Sequence, residues 1–441
     1  MNKNSPKTPS GSMTRRDFLR NSSLMAGAAA ISAPSILNAQ SKQPLNAVIV
    51  GVGGRGGGAG ANFLEAAKIA GAEAKIVAVA DVSARQASRG RQEFGVPENK
   101  CFSGFDSYIK AMEEPGVNYV ILATPPGFRQ VHFRKAVQLG KHIFTEKPVC
   151  VDAPGARLMY AAGEEALKKN LKVAAGTQRR HGDNYVETIK RIHDGAIGDI
   201  TALRAYWVNG GPIWHRGENG STPLEVQVNN WYHYIWLCGD HIVEQHVHNL
   251  DVANWVKGEH PVKAWGMGAR QMLGNKPGEI WDNFAVEFEY SDGVRCSSYC
   301  GQVKRSWASV SEAVVGSKGT ADPGGSIRPK EGQAWRYRGQ KISDYVQEHV
   351  DLINAIHNDT PLNEAKNVTD STFTAVLGRE AAYSGNGVGW DELLQSNFRY
   401  GPDALYDENP DAAAKMKFGD FRTLTPPLPG THNILADPPV V

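Results

Sequence analysis

The stretch that decides the fold is Leu45–Asp81, LNAVIVGVGGRGGGAGANFLEAAKIAGAEAKIVAVAD. Ala47–Val50 is a short apolar run of the kind that forms a buried parallel strand. It runs into Gly51-Val52-Gly53-Gly54-Arg55-Gly56, a G-x-G-x-x-G turn. The pattern predicts a helix over Ala61–Ala70 and a second buried strand over Lys75–Ala80, closed by Asp81. In this order the first glycine permits the tight turn, the second lets backbone N–H groups approach a pyrophosphate, and the third lets helix and strand pack closely. The helix start then offers unpaired N–H donors and a positive dipole end to the phosphates. A carboxylate at Asp81 accepts from both ribose hydroxyls and repels a 2′-phosphate, so NAD is favoured over NADP. Gly51, Gly53, Gly54, Arg55, Gly56 and Asp81 are the expected cofactor contacts. A glycine turn alone is often only a turn; the flanking strands and the acid give this one its meaning. The further glycines at 57, 58 and 60 predict a loop looser than usual.

Working outward, Ser83–Phe94 is helix-capable and a polar loop follows. Tyr119–Ala123 is the next buried strand, ended by Thr124-Pro125-Pro126, and Gln130–Leu139 reads as a crossover helix. His142–Thr145 is another strand, ending in Glu146-Lys147-Pro148. Asp152–Lys169 is a helix with Asp152 as N-cap and Pro154 in its first turn. Lys172–Ala175 and Asn184–His193 read as one more strand and helix. This alternation predicts a doubly wound parallel sheet, with ligands beyond the carboxyl ends of its strands. Thr124, Pro125, Glu146 and Lys147 therefore share a rim with the glycine turn. From Asp199 the period changes to two: Ile200–Val208, Val262–Gly268, Asn283–Tyr290 with Val294–Tyr299, and Ser306–Val315. The expected fold is thus α/β plus α+β. A Rossmann domain over 44–182 precedes an open, mostly antiparallel sheet domain over 183–340. Late helices (Tyr345–His357, Thr372–Tyr383) fill 341–385, and 386–441 reads as an irregular extension.

The first forty residues differ from the rest. Thr14-Arg15-Arg16-Asp17-Phe18-Leu19-Arg20 is a twin-arginine pattern, followed by an Ala-rich apolar run, Leu24–Ile36, too short to span a bilayer comfortably. Residues 1–39 read as an export signal, handed to machinery that carries folded proteins to the periplasm. Their removal takes away five basic residues and one acidic residue, moving the formal net charge from +2 to −2. No basic excess then argues for nucleic acid or an anionic membrane. The five cysteines (Cys101, Cys150, Cys238, Cys296, Cys300) are too few and scattered for a disulfide framework.

The glycine turn, Glu146-Lys147-Pro148 after the fourth apolar strand and the switch to an open sheet resemble the Gfo/Idh/MocA oxidoreductase family over residues 44–385. The resemblance implies that Lys147 reaches a substrate hydroxyl and the nicotinamide ribose. It also implies that His248 is the catalytic histidine and that subunits meet through the open sheet as a homo-oligomer. The family commonly shows Asp-x-x-x-His-x-x-Asp where this chain has Glu244-x-x-x-His248-x-x-Asp251. On a helix, Glu244 and His248 would be i, i+4 neighbours with His241 on the same face. Oxidising a secondary alcohol needs a base for the hydroxyl proton, which suits a histidine. Glu244 would act directly or orient His248. Arg179, Arg180 and His181 follow a strand at the same rim and are candidate sugar contacts or, equally, an ion-pair set. Asn230, Trp231, His241 and Asp251 complete the expected substrate contacts, and Trp207, Trp214, Tyr232, Tyr234 and Trp236 offer faces for sugar stacking. His241, Glu244, His246 and His248 invite comparison with a zinc site, but the spacing is not H-E-x-x-H and no metal is expected. Satisfied core histidines are the bland alternative.

Export adds a condition. An exported enzyme has no pool of free NAD, so the cofactor is expected to travel tightly bound and to be regenerated within each cycle. Sugar or polyol oxidoreduction with a second carbonyl compound satisfies this. Redox-neutral glycoside cleavage, by oxidation, elimination, hydration and reduction, also satisfies it. A catalytically inactive NAD- or sugar-binding module is the alternative of another class.

Overall fold

A computed structural model describes residues 43–210, 217, 219–339 and 342–434. The leader with its twin-arginine pattern, and Trp214, lie outside the described residues.

Six parallel strands form the first sheet: β1 Leu45–Val50, β2 Ala74–Asp81, β3 Cys101–Ser103, β4 Tyr119–Leu122, β5 His142–Thr145 and β6 Val173–Ala175. Their order is β3-β2-β1-β4-β5-β6, so the winding reverses between β1 and β4 and opens a crevice there. Alternating residues of β1 feed two cores. Leu45, Ala47 and Ile49 face a layer with Phe63, Val346 and Ile353, while Val48 and Val50 join the core on the other face. Each fully buried side chain of this size contributes about 1.5–3 kcal/mol.

The helix after the glycine turn runs Gly54–Ile69, starting well before the expected Ala61. The extra glycines therefore do not loosen a loop; they lie in the first turns of the helix. A Cβ at Gly56 would sit 1.8 Å from the Gly51 carbonyl oxygen, and one at Gly60 would sit 2.5 Å from Ile49 and 2.6 Å from Phe94. The run exists for close approach of helix to strand. The polar loop after Phe94 likewise holds β3 and a short helix, Ser107–Met112.

The second sheet contains β7 Ile200–Val208, β8 Lys263–Ala269, β9 Asn283–Glu289, β10 Arg295–Gly301, β11 Ser309–Gly316, β12 Gly319–Asp322, β13 Ser326–Pro329, β14 Trp335–Arg336 and β15 Val388–Gly389. Its order is β14-β13-β12-β11-β7-β10-β9-β8-β15. Among the described residues of this sheet, only β7 and β10 pair in parallel. Helices Val247–Lys257 and Ala365–Ser384 pack on this sheet. Large side chains stay exposed on its strands and turns: Met267 at 73%, Trp307 at 55% and Tyr299 at 44%. Helix Asp344–Asn358 returns to pack against Gly54–Ile69. The long loop after β7 includes a helix, Pro223–Asn229, whose N-cap Thr222 accepts from the Glu225 N–H at 3.4 Å.

The C-terminal extension is stapled rather than merely laid on the surface. It supplies β15 and the helix Trp390–Gln395. Tyr406 donates to the Asp152 carboxylate, and His432 sits 2.7 Å from Glu380. Buried charges on earlier helices thus find their partners in the last fifty residues.

Candidate active site

The crevice at the β1/β4 reversal is one cleft. Gly51, Gly53, Gly54, Arg55, Gly56 and Asp81 line one side; Thr124, Pro125, Glu146, Lys147, Glu244 and His248 line the other. At Gly51, φ is +89° and a Cβ would lie 2.7 Å from the Thr124 nitrogen, so only glycine fits. At Gly53 and Gly54 a Cβ would meet nothing within 4 Å, which leaves backbone N–H groups at the start of a long helix open to the cleft. A dinucleotide fits this cradle: bare backbone for phosphates and a carboxylate at the next strand end. Asp81 accepts from the Val52 N–H at 3.0 Å and the Ser83 N–H at 2.9 Å. Burial nevertheless raises its pKa to about 6, against those two bonds.

Arg55 pairs with Glu146, approaches Glu348 at 3.6 Å and lies 4.8 Å over the Tyr345 ring. Arg129, which sequence reasoning missed, ties the rim together. It is buried, donating to the carbonyls of Thr124, Glu146 (3.0 Å) and Pro148. Burial lowers its pKa to about 10, with Glu146 and Glu244 opposing. The one sequence sign was a cation in the first turn of a helix, where the dipole disfavours it.

Lys147 precedes a cis bond to Pro148 and donates to both the Glu244 carbonyl and its carboxylate, the latter at 3.2 Å. Glu244 and His248 do not sit on one regular helix. A short helix, His241–Glu244, gives way at Gln245 and His246 to Val247–Lys257. The His241 carbonyl accepts from Gln245 at 3.0 Å and from His246 at 3.4 Å. The helix is thus broken by a turn at Gln245 and His246, so the residues after it do not continue the face of the first. Glu244 and His248 line the cleft, whereas His241 is fully buried, with Nδ1 3.1 Å from the Tyr232 hydroxyl. His246 bonds Ser298 at 2.7 Å.

The His248 ring stacks on Trp207 at 5.6 Å. Its Nδ1 and the Glu244 Oε2 are buried without a protein partner. Burial holds His248 well below the usual histidine range, and the Lys147, Arg179 and Arg55 cations push the same way. The imidazole is therefore neutral. Burial raises the Glu244 carboxyl, with Lys147 opposing. Asn229 and Trp231 also line the cleft. Asn230 does not; its side chain donates to the carbonyls of Gly217 at 2.8 Å and Val226 at 3.1 Å.

The remaining expected substrate residues do not line the cleft but form a paired layer. Arg179 pairs with Glu312, which also accepts from Asn249 at 2.6 Å. Arg180 places its guanidinium on Asp251 at 2.9 and 3.0 Å, and Ser371 donates to the same carboxylate at 2.7 Å. His181 lies between Asp351 at 2.6 Å and Glu364 at 3.3 Å. Burial opposes its protonation, but those carboxylates outweigh it and hold the imidazole well above the usual range. All five cysteines are free thiols. Among the described residues no group of His, Cys, Asp and Glu is arranged to hold a metal ion, and no helix is long and apolar enough to cross a membrane.

Comparison with known proteins agrees with this fold. Residues 45–174 match the oxidoreductase family with an NAD-binding Rossmann fold, GFO_IDH_MocA, and residues 185–322 match the GFO/IDH/MocA C-terminal domain. The chain is 24% identical over 254 residues to scyllo-inositol 2-dehydrogenase (NAD(+)) of Bacillus subtilis (strain 168), covering 56% of this chain and 65% of that protein. It is 24% identical over 302 residues to inositol 2-dehydrogenase of Rubrobacter xylanophilus (strain DSM 9941), covering 68% and 76%. Among solved structures, levoglucosan dehydrogenase in complex with NADH and levoglucosan aligns with a TM-score of 0.65 and 16% identity over 79% of this chain and 99% of that one. Both halves of the fold are thereby matched, and the chain belongs to the Gfo/Idh/MocA family of NAD-binding oxidoreductases.

Proposed function

We propose that this protein moves a hydride between NAD and a secondary hydroxyl or carbonyl of a sugar or polyol. The observation that carries the reading is one cleft lined together by the glycine cradle, Lys147, Glu244 and His248, the last two each keeping a buried polar atom without a protein partner. NAD bound there supplies the hydride acceptor or donor. Gly51–Gly56 and Asp81 hold its phosphates and ribose, and Thr124 and Pro125 form the opposite wall. Lys147 donates to the reacting oxygen and stabilises charge as it develops. His248, kept neutral, takes the hydroxyl proton during oxidation and returns it during reduction. Glu244 orients the Lys147 ammonium and leaves one carboxylate oxygen for a neighbouring hydroxyl. Asn229 and Trp231 supply an amide and a flat apolar face at the substrate end. The inositol dehydrogenases among the relatives act on such polyols by name, which supports the substrate class.

Three further parts belong to the proposal. The twin-arginine pattern supports export, and export supports a tightly held cofactor recycled by a second carbonyl substrate. The exposed aromatic side chains of the second sheet, Tyr299 and Trp307, support a homo-oligomer through that sheet. The test is to purify the exported protein, record its nicotinamide absorbance without added cofactor, and add sugars and polyols singly. Growth of the reduced band identifies substrate and direction. A preparation with neither cofactor nor turnover points to a binding module instead.

A further inference from the structure

Helix Pro126–Gln138 buries Arg129, Gln130, His132, Arg134 and Lys135, an unusual load for one helix. Three of these find their partners in the C-terminal extension. Gln130 donates to the Leu405 carbonyl, Arg134 to the carbonyls of Asp407 (2.8 Å) and Glu408, and Lys135 pairs with Asp411 at 3.1 Å. From the adjacent short helix, the Tyr108 hydroxyl donates to the Pro410 carbonyl at 2.6 Å. The Phe105 ring meets Phe418 with centroids 5.0 Å apart. These anchors bring Ala413, 2% exposed, into the wall of the cleft. Phe105 and Tyr108 line the cleft too, and both follow β3, the strand beside β2 and its Asp81. This is the adenosine half; Lys147, after β5, marks the other end.

We propose that segment 403–418 is a built wall of the adenosine subsite, and that bound NAD leaves only when this wall is displaced. The proposal rests on reading the cleft as the NAD site. Phe105 gives the adenine an apolar surface, and Ala413, with its single methyl, backs the cleft beside it. Arg134 and Lys135 do not line the cleft; they position the wall by holding its backbone and Asp411.

The test uses the full-length protein loaded with NAD labelled in the adenine, chased with excess unlabelled NAD. Arg134→Gln with Lys135→Gln is expected to speed release about tenfold or more, since such changes act mainly on dissociation. Turnover at saturating NAD should stay at the wild-type value. Ala413→Leu, which adds bulk inside the wall, is expected to weaken NAD binding by about tenfold or more. Arg134→Gln alone serves if the double variant does not fold. Release at the wild-type rate from the Arg134 variants, or unchanged affinity in Ala413→Leu, overturns the wall. Wild-type protein that binds no NAD at all overturns the underlying reading of the cleft.

Discussion

Two groups of polar side chains lie on either side of the segment from His241 to Lys257. In the cleft, Glu244 Oε2 and His248 Nδ1 are buried without a protein partner. Behind it, Arg179, Arg180 and His181 each meet a carboxylate: Glu312, Asp251 and Glu364. Residue type does not separate the groups, since both contain acids and histidines. Completeness of pairing does. A buried polar atom without a partner costs stability, of order 1–3 kcal/mol, and on a residue that lines a cleft it can be completed by a ligand. A paired charge is already complete, and removing one member leaves the other stranded. The first group is therefore expected to respond through catalysis and the second through folding.

The largest expected effect tests the cleft side. Lys147→Ala and His248→Ala should each lower turnover by about 10²–10⁴-fold with NAD still bound; the melting temperature should change little in His248→Ala and fall in Lys147→Ala, which strands the buried Glu244 carboxylate. Steady-state rates beside a thermal melt decide this, and wild-type turnover in either variant removes the assigned role. Next comes the paired layer. Asp251→Ala leaves Arg180 without its carboxylate and should cost about 3–5 kcal/mol of stability. Urea unfolding measures the loss, while the fraction that remains folded should keep near-normal turnover. A large catalytic loss with unaltered stability would reverse the contrast between the two groups.

A smaller effect is expected at Glu244, which accepts from Lys147 inside the cleft. Glu244→Gln keeps an oxygen for the ammonium but removes the charge. Hydrogen bonds to charged groups are worth about 1.5–3 kcal/mol, so turnover should fall less than in Lys147→Ala. The smallest effect is a pH dependence. Asp81 titrates at about 6 because burial raises it. Only its charged form accepts from both ribose hydroxyls, so NAD affinity should be flat above pH 6 and decline below it, by at most about tenfold per pH unit. Calorimetric titrations across that range check this, and Asp81→Asn should bind weakly at every pH. Because His248 is held well below the usual histidine range, turnover at saturating NAD should show no loss where free histidine protonates.

Legibility in the sequence varied with the range of the interaction. Strand positions 47–50 and 119–122 were readable because a fully buried parallel strand is an unbroken apolar run. Asp152 was readable as an N-cap because capping is local, and its side chain does accept from Gly155 at 3.0 Å. The glycine run was misread because looseness and close packing leave the same letters; only the approach of Gly56 to the Gly51 carbonyl separates them. The continuous helix through Glu244 and His248 was misread because one shifted hydrogen bond is invisible in a string of histidines. Asp251 and Arg180 are 71 positions apart, and nothing local to either announces the pair.

The sequence by itself determined the main strands and helices of both halves, the glycine cradle with Asp81, and the change from buried to alternating apolar pattern. Each of these follows from backbone conformation and periodicity within a few residues. Only the tertiary structure decided which charges face the cleft and which close on one another. It alone decided that Arg129 clamps the rim and that the last residues of the chain complete a wall begun at Phe105. Those outcomes depend on which distant groups share a low-dielectric interior, and that depends on packing rather than on neighbours in the chain.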